Sequence, residues 1–550
     1  MKKITKKVIA MLMTTVFVLG GAVGVTGCSK KTNVSNEETT LNIRAFSAGW
    51  GIEYIKALAA SFQAAYAKEG YKVNIVSADS GMSGDAVINE LLLGDGNNID
   101  MYFTSDITAG KMVFYSEAEG LDMIAADLSE FYESKPIKAD GTEENITIRE
   151  KLRDGYEKYM TYYGDVEKYN GKQYCFPTKS SPNGLIVNKP LLATYGLEVP
   201  KTTDELINCF QVISAKTEET GVYPTAWAGY NAAGYWGSTT NCWVPQYSGM
   251  EAFDKYLTME YSDDPSEGWK VYEDPAWVES LKVQEVLLNL DYAPPKTLSM
   301  DHTTAQHLFM KGEAVFMSNG AWLQMEMSAN YKEEAGNMTM IATPVISALG
   351  VKLGLDGKGG ADAKKCDTVL SQIVGLVDEG KAAEEIISAV AAENGVAVTA
   401  EQVEAIREAR LIYTDQGVKE VVVLNAFSEK LDVAKLFLRF IASDDGGQIM
   451  YDYCHAYPAC KPVTQLDTTA NKSAFADSTY AIANREGAQF IFRRSDGYRA
   501  LLNFAFWNKY PAIQKSIAES RGKLTAEKIM EAEIEYAKKT WPEKVKALGE

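Results

Sequence analysis

The side chains best suited to chemistry in this chain are flat and acidic, not nucleophilic. Between residues 223 and 247, Trp227, Tyr230, Tyr235, Trp236 and Trp243 alternate irregularly with Gly, Ala and Asn. So many rings in what reads as a loop suit a stacking platform, with core packing as the competing use. Carboxylates are abundant, so a facing acid pair of the glycosidase kind stays open from sequence alone. No G-x-S-x-G elbow, H-E-x-x-H or Walker loop is present, and no enzyme is expected. With three histidines and no C-x-x-C, a zinc site is not expected either. Asp356 and Asp362 lie in a Gly/Lys-rich stretch that lacks the spacing and final Glu of a calcium loop. The reading assigns no metal and no cofactor.

One thiol is set apart. Lys2, Lys3, Lys6 and Lys7 precede an uncharged apolar run over 8–25, which ends at Val25-Thr26-Gly27-Cys28 and a polar Ser29-Lys30-Lys31. This is the layout of a secretory leader with a cysteine at its cleavage site. It resembles a bacterial lipobox, with Val25 in place of the usual Leu. Residues 1–27 are expected to be removed and Cys28 acylated, each buried methylene adding about 0.8 kcal/mol to membrane attachment. The competing reading is an uncleaved span, since the run is barely long enough to cross a bilayer. Residues 1–27 carry four lysines and no acid, so the 523 residues after them have a formal charge of −23 against −19 for the whole chain. Such a charge argues against nucleic acid and anionic membrane as partners. Cys454 and Cys460 are close enough in sequence for a disulfide in an exported protein, but two free buried thiols are favoured.

Residues 28–40 read as a polar tether. Beyond it, strands over 41–48, 71–76 and 98–103 alternate with helices over 53–66 and 85–93, a βαβ pattern on a largely parallel sheet. Ligands of such sheets bind at the carboxyl ends of the strands. Trp50, Asp79 and Asp106 each follow one of those strands. Further on, 309–322 reads as helix end, strand and new helix, 380–393 and 399–410 as Ala/Glu-rich helices, 419–425 as a strand, 431–442 as an amphipathic helix and 526–548 as a last helix.

Four of these stretches, in order, carry a family resemblance: GKQYCFP with its following NK (171–189), GLEVPKTTDEL (196–206), FMKGEAVFMSNGAW (309–322) and KLFLRFIASDDGG (435–447). The chain resembles the extracellular solute-binding proteins of ABC importers, in the carbohydrate-binding branch that includes maltose-binding protein. The resemblance implies an α/β fold of two lobes joined by three crossings at a hinge, with ligand trapped in a central cleft. The crossings are placed near 180–183, 420–425 and 457–462. Lobe I is then 41–182 plus 421–460, and lobe II 183–420 plus 461–550, with 350–420 an expansion decorating lobe II.

A sugar offers C–H faces to flat rings and hydroxyls to carboxylates and amides. The resemblance puts Trp322 and Trp507 at the ligand and aligns Asp106 with an aspartate that binds hydroxyls. Trp50, Asp79, Trp227, Tyr230 and Trp236 complete the candidate set. Each has a plainer use, as core filler for the rings and helix cap for the acids. The implied function is capture of a carbohydrate, in the form of an oligosaccharide, and delivery to ABC permease subunits by a monomer held to the membrane only through Cys28. The alternatives are a peptide or polyol ligand in the same fold, or a surface glycoside hydrolase.

Overall fold

A computed structural model describes residues 34–35, 37–164, 166–331, 334–469, 473–492 and 497–547. The leader and Cys28 lie outside them. Ser35–Glu550 form one compact unit. Among the described residues no helix is long and apolar enough to cross a membrane.

The unit is built on two sheets. β1 (Thr40–Phe46), β2 (Lys72–Asp79) and β3 (Met101–Ser105) are separated by the helices Glu53–Ala65 and Gly84–Leu91. β1 pairs in parallel with both neighbours. It is buried along most of its length, as a central strand covered on both faces must be. The helix Glu53–Ala65 turns Tyr54, Ile55, Leu58 and Phe62 inward, and the Phe62 ring meets Phe437 of the helix Leu431–Ile441 at 4.9 Å. The chain then passes through β4 (Phe176–Pro177) and β5 (Lys179–Ser180) into β6 (Pro182–Asn188) of the second sheet.

That sheet adds β7 (Tyr223–Thr225), β8 (Ala314–Gly320), β9 (Met338–Met340), β10 (Ile412–Asp415) and finally β13 (Gln489–Ile491). It is mixed: β7 and β8 run parallel, but β6 is antiparallel to β8, β9 and β10. β11 (Glu420–Leu424) returns to the first sheet, antiparallel to β3 and β4, giving the order β2-β1-β3-β11-β4. The second crossing therefore lies at 415–420, ahead of where the sequence placed it. β10 is only four residues long and follows directly on a helix, so it leaves almost no alternation to read. β12 (Tyr457–Pro458) pairs with β5 as a two-stranded ribbon.

These crossings are knitted together. Gln416 N donates to Ser181 O at 2.9 Å. The buried Asp415 carboxylate accepts from Ser180 Oγ at 2.6 Å, Tyr156 Oη at 3.0 Å, Ser181 N at 3.1 Å and Gly417 N. Arg153 donates to Pro458 O at 3.0 Å and lies 4.2 Å over the Tyr457 ring. A Cβ on Gly417 would stand 2.1 Å from Lys179 O, so the second crossing passes where only glycine fits.

The segment after residue 350 holds three helices, Ala363–Asp378, Ala383–Asn394 and Ala400–Arg410. The first was not foreseen, because its opening Lys364-Lys365-Cys366-Asp367 and internal Gly375 hide its apolar face. Val369, Ile373, Val374, Ile386, Val403 and Ile406 join the same buried cluster as Leu185, Phe210 and Trp243 of the second sheet's layers. Asp356 ties the preceding loop, accepting backbone N–H bonds from Lys358, Gly360 and Asp362, each at 2.8 Å. Against the cost of burial, those donors hold its carboxyl down to about 2.

Candidate functional site

The site is assembled from strand ends. On the first sheet, the loop after β1 carries Gly49 and Gly51 in left-handed backbone. Ser47 N donates to Asp79 O at 3.2 Å, joining the ends of β1 and β2. Trp50 is 2 % exposed, and its Nε1 has no hydrogen-bond partner among the described residues. Lys179 Nζ lies 5.8 Å from its ring centroid and 4.6 Å from that of Tyr54. This lysine, 1 % exposed, pairs with Glu420 at 2.8 Å and donates to Tyr54 Oη at 3.2 Å. Burial pulls the Lys179 ammonium down, but the Glu420 charge outweighs it and keeps the group protonated.

Two sequence candidates resolve differently here. Asp79 is occupied structurally: its carboxylate takes Arg44 at 3.2 Å and Gly81 N at 2.8 Å. Asp106 takes left-handed backbone at φ 57°, and its N–H donates to Lys419 O at 3.0 Å, tying the end of β3 to the second crossing. Neither acid caps a helix; Ser83 and Thr108 do that.

On the second sheet, β8 runs on past β7, whose last residue Thr225 pairs with Phe316. Gly320 closes β8, and a Cβ there would collide with the Trp322 ring at 2.2 Å, so glycine lets the indole fold over the strand end. Trp322 is half-buried and opens the short helix Leu323–Met327. Tyr235 meets it edge-on at 5.9 Å, held by Ser318 Oγ donating to Tyr235 O at 2.7 Å. Glu326 lies one turn on, its N–H bonded to Trp322 O at 3.0 Å, so ring and carboxylate share a helix face. Gln306 Nε2 donates to Glu326 at 2.7 Å. Burial raises the Glu326 carboxyl, the Gln306 bond and the His302 charge oppose this, and the Glu420 charge adds a smaller rise. Tyr235 is pushed up to about 12 by burial and by Glu326.

The two halves meet at this point. A Cβ placed on Gly49 would be 3.7 Å from Trp322 Cβ. The first-sheet loop bearing Trp50 therefore abuts the second-sheet tryptophan.

The other aromatics part company. Trp227 and Trp236 are 4 % and 1 % exposed within the second core. This corrects the expectation that they form an open platform. Their stretch is not one loop: it runs from β7 through a 3-10 turn at Ala233–Trp236 into the helix Gly237–Ser248. That helix is buried nearly all round, so no single apolar stripe betrays it. Tyr230 is 71 % exposed, beside Asn231, which bonds His302 at 3.0 Å. Trp507 packs against the same core, edge-on to Trp277 at 5.5 Å, a position that serves packing. Lys179, Glu420 and Glu326 went unremarked in the sequence, and Tyr235 was named there only among the rings of 223–247; the i, i+4 spacing of Trp322 and Glu326 offered a signal.

Among the described residues, no group of three or more His, Cys, Asp or Glu side chains is gathered to hold a metal. All six described cysteines are free and buried, Cys454 and Cys460 included.

The family model for bacterial extracellular solute-binding proteins matches residues 49–448. The chain belongs to that family. Among curated relatives of this solute-binding protein is the melibiose/raffinose/stachyose-binding protein MelE of Bacillus subtilis, 24 % identical over 190 residues. That segment is 33 % of this chain and 40 % of the relative. Among solved structures, RafE in complex with raffinose superposes with a TM-score of 0.54 at 16 % identity, covering 92 % of this chain and 99 % of that one. The GacH receptor of Streptomyces glaucescens gives 0.56 at 16 %, covering 92 % and 98 %. Maltose-bound MalE3 of T. maritima gives 0.55 at 14 %, covering 91 % and 99 %. At these identities the structures establish the shared two-lobed α/β fold.

Proposed function

We propose that this protein is an exported, lipid-anchored receptor that captures an oligosaccharide between its two lobes and delivers it to an ABC permease. The observation that carries the reading is the Trp322–Tyr235 pair set against Gly49 of the opposite lobe, with Glu326 one turn away. A ring of this kind covers the C–H face of a sugar, and the carboxylate takes its hydroxyls. The names of its relatives support a sugar cargo: MelE is a melibiose/raffinose/stachyose-binding protein, and RafE and MalE3 were solved with raffinose and maltose. The protein performs no chemistry on its cargo in this reading and acts as a monomer. Lobe I comprises 41–181 and 420–460, and lobe II 182–419 and 461–550. Cys28 holds the acyl chains; Cys28→Ser should release the protein from the membrane fraction, and retention there would count against acylation.

The test is a thermal-shift screen of the chain from residue 29 against mono- and oligosaccharides, amino acids, peptides and polyols. Binding to the folded state alone raises the melting temperature by mass action, by about 2.7 kcal/mol of stability at a hundredfold excess over Kd. A shift with one oligosaccharide series, the sugar recovered intact, supports the receptor. A shift with a peptide or polyol only would overturn the sugar cargo, and cleavage of the sugar would make the protein an enzyme.

A further inference from the structure

The segment ahead of β1 is fastened to the first lobe. Ser35 N donates to Asn42 Oδ1 at 2.9 Å, and Asn42 Nδ2 donates back to Ser35 O at 2.8 Å. Asn42 is 1 % exposed and also takes Asn74 Nδ2 at 2.9 Å, so one buried side chain of β1 ties this segment to β2. Glu37 O accepts from Thr40 N at 3.0 Å, and the Glu37 carboxylate accepts from Thr40 Oγ1 at 3.2 Å and Lys72 Nζ at 3.3 Å. Lys72 N donates to Thr39 O at 2.9 Å, and Lys430 Nζ to Thr40 O at 2.7 Å. These bonds lie where β1 and β2 begin: Thr40 and Lys72, their first residues, are register partners. Gly49, Trp50, Asp79 and Asp106 stand at or beyond the other ends of the strands. Because β1, β2 and β3 run parallel, the fastening and the cleft sit at opposite ends of this lobe.

We infer that residues 35–40 are a clasp that shortens the membrane tether and sets the protein with its cleft turned away from the lipid. The inference rests on the proposed acylation of Cys28 and deepens it. Cys28 and Ser35 are seven residues apart in sequence, which at full extension span roughly 25 Å. The seven residues of β1 alone span roughly 23 Å. Turning the cleft toward the bilayer would lift Ser35 by the full height of the lobe, which is the length of β1 and of the loops beyond it. The clasped tether is too short for that. Freed back to Thr40, the twelve residues from Cys28 would span roughly 43 Å and the restriction would go. The clasp also makes lobe I the lobe fixed to the membrane, so lobe II is the one that swings on closure.

Hydrogen exchange on the chain from residue 29 tests the clasp itself. The amides of Ser35 and Thr40 should exchange about tenfold more slowly, or slower still, than in an unstructured peptide of the same sequence. Ser35→Pro combined with Glu37→Ala should speed exchange at Thr40. Exchange at the peptide rate in wild type would overturn the clasp. Orientation is read on the full acylated chain in phosphatidylcholine vesicles that carry an energy acceptor on the lipid headgroup. The six described cysteines are buried, so a donor dye goes selectively onto Lys68→Cys, exposed just ahead of β2, or onto Ser80→Cys, exposed just beyond it. Transfer should be stronger from Lys68→Cys. Inserting about ten Gly/Ser residues after Lys31, which adds roughly 17 Å of root-mean-square reach, should erase the difference. Equal transfer from both positions without the insertion would overturn the orientation, as would stronger transfer from Ser80→Cys. If neither dye transfers, the acylation falls and takes the orientation with it, while exchange still decides the clasp.

Discussion

Trp322 is the residue on which the cleft turns. Its ring is held by Tyr235 on one side and set against Gly49 on the other. Trp322→Ala should weaken sugar binding by at least about tenfold, or ~1.4 kcal/mol, in calorimetry with the sugar found by screening. An unchanged affinity in a folded variant would remove the ring from the site. Asp367 makes a separate prediction about stability. Burial raises its carboxyl to about 6, a bond from Ser347 opposes the rise, and the Asp204 charge adds to it. The folded state therefore holds this proton more tightly than the unfolded chain, so stability is lost as pH rises from about 4 to about 6. Asp367→Asn should melt higher than wild type at pH 7, and the gain should vanish near pH 4. A gain independent of pH would mean that the titration is not the cause. At this scale the sequence was half legible. Trp322 was singled out through the family resemblance, and its place after a strand and a glycine could be read from the chain. Trp227 and Trp236 could not be told from site residues, because burial depends on which helix covers them.

At the scale of elements, the crossings dominate. Gly417 sits where a methyl group would press on Lys179 O, with Tyr156 Oη 2.7 Å away on another side. Gly417→Ala should cost about 1–3 kcal/mol in urea unfolding, since backbone cannot yield as a side chain does. A neutral substitution would mean that the crossing has room to shift. Most elements could be read from periodicity. The helix Leu431–Ile441 turns Ala434, Phe437, Leu438 and Ile441 inward as its spacing requires. The strand Glu420–Leu424 was found for its run of valines. What escaped were β10, too short to show a period, the helix Gly237–Ser248, too uniformly buried to show one, and the helix Ala363–Asp378, whose charged opening hides its apolar face.

At the scale of the whole molecule, the helices of 363–410 are part of the second core and not an appended module, because they share its buried cluster. Ile373→Ala should therefore destabilise the second lobe by about 2–5 kcal/mol. Tryptophan fluorescence, with Trp227, Trp236 and Trp243 all in that cluster, should report the loss in the same transition as circular dichroism. A separate early transition in which only helix is lost would show an independent unit.

The knitted crossings have a mechanical consequence. β5 is bonded to β12 and Ser181 to Gln416, so the three connections act as one narrow band. A band of this kind permits turning about its own length and resists sliding or stretching. The relative movement of the lobes then reduces to a single angle. One pair of fluorophores, placed on either side of the opening far from the band, would track that angle in full and convert the protein into an optical gauge of its own occupancy.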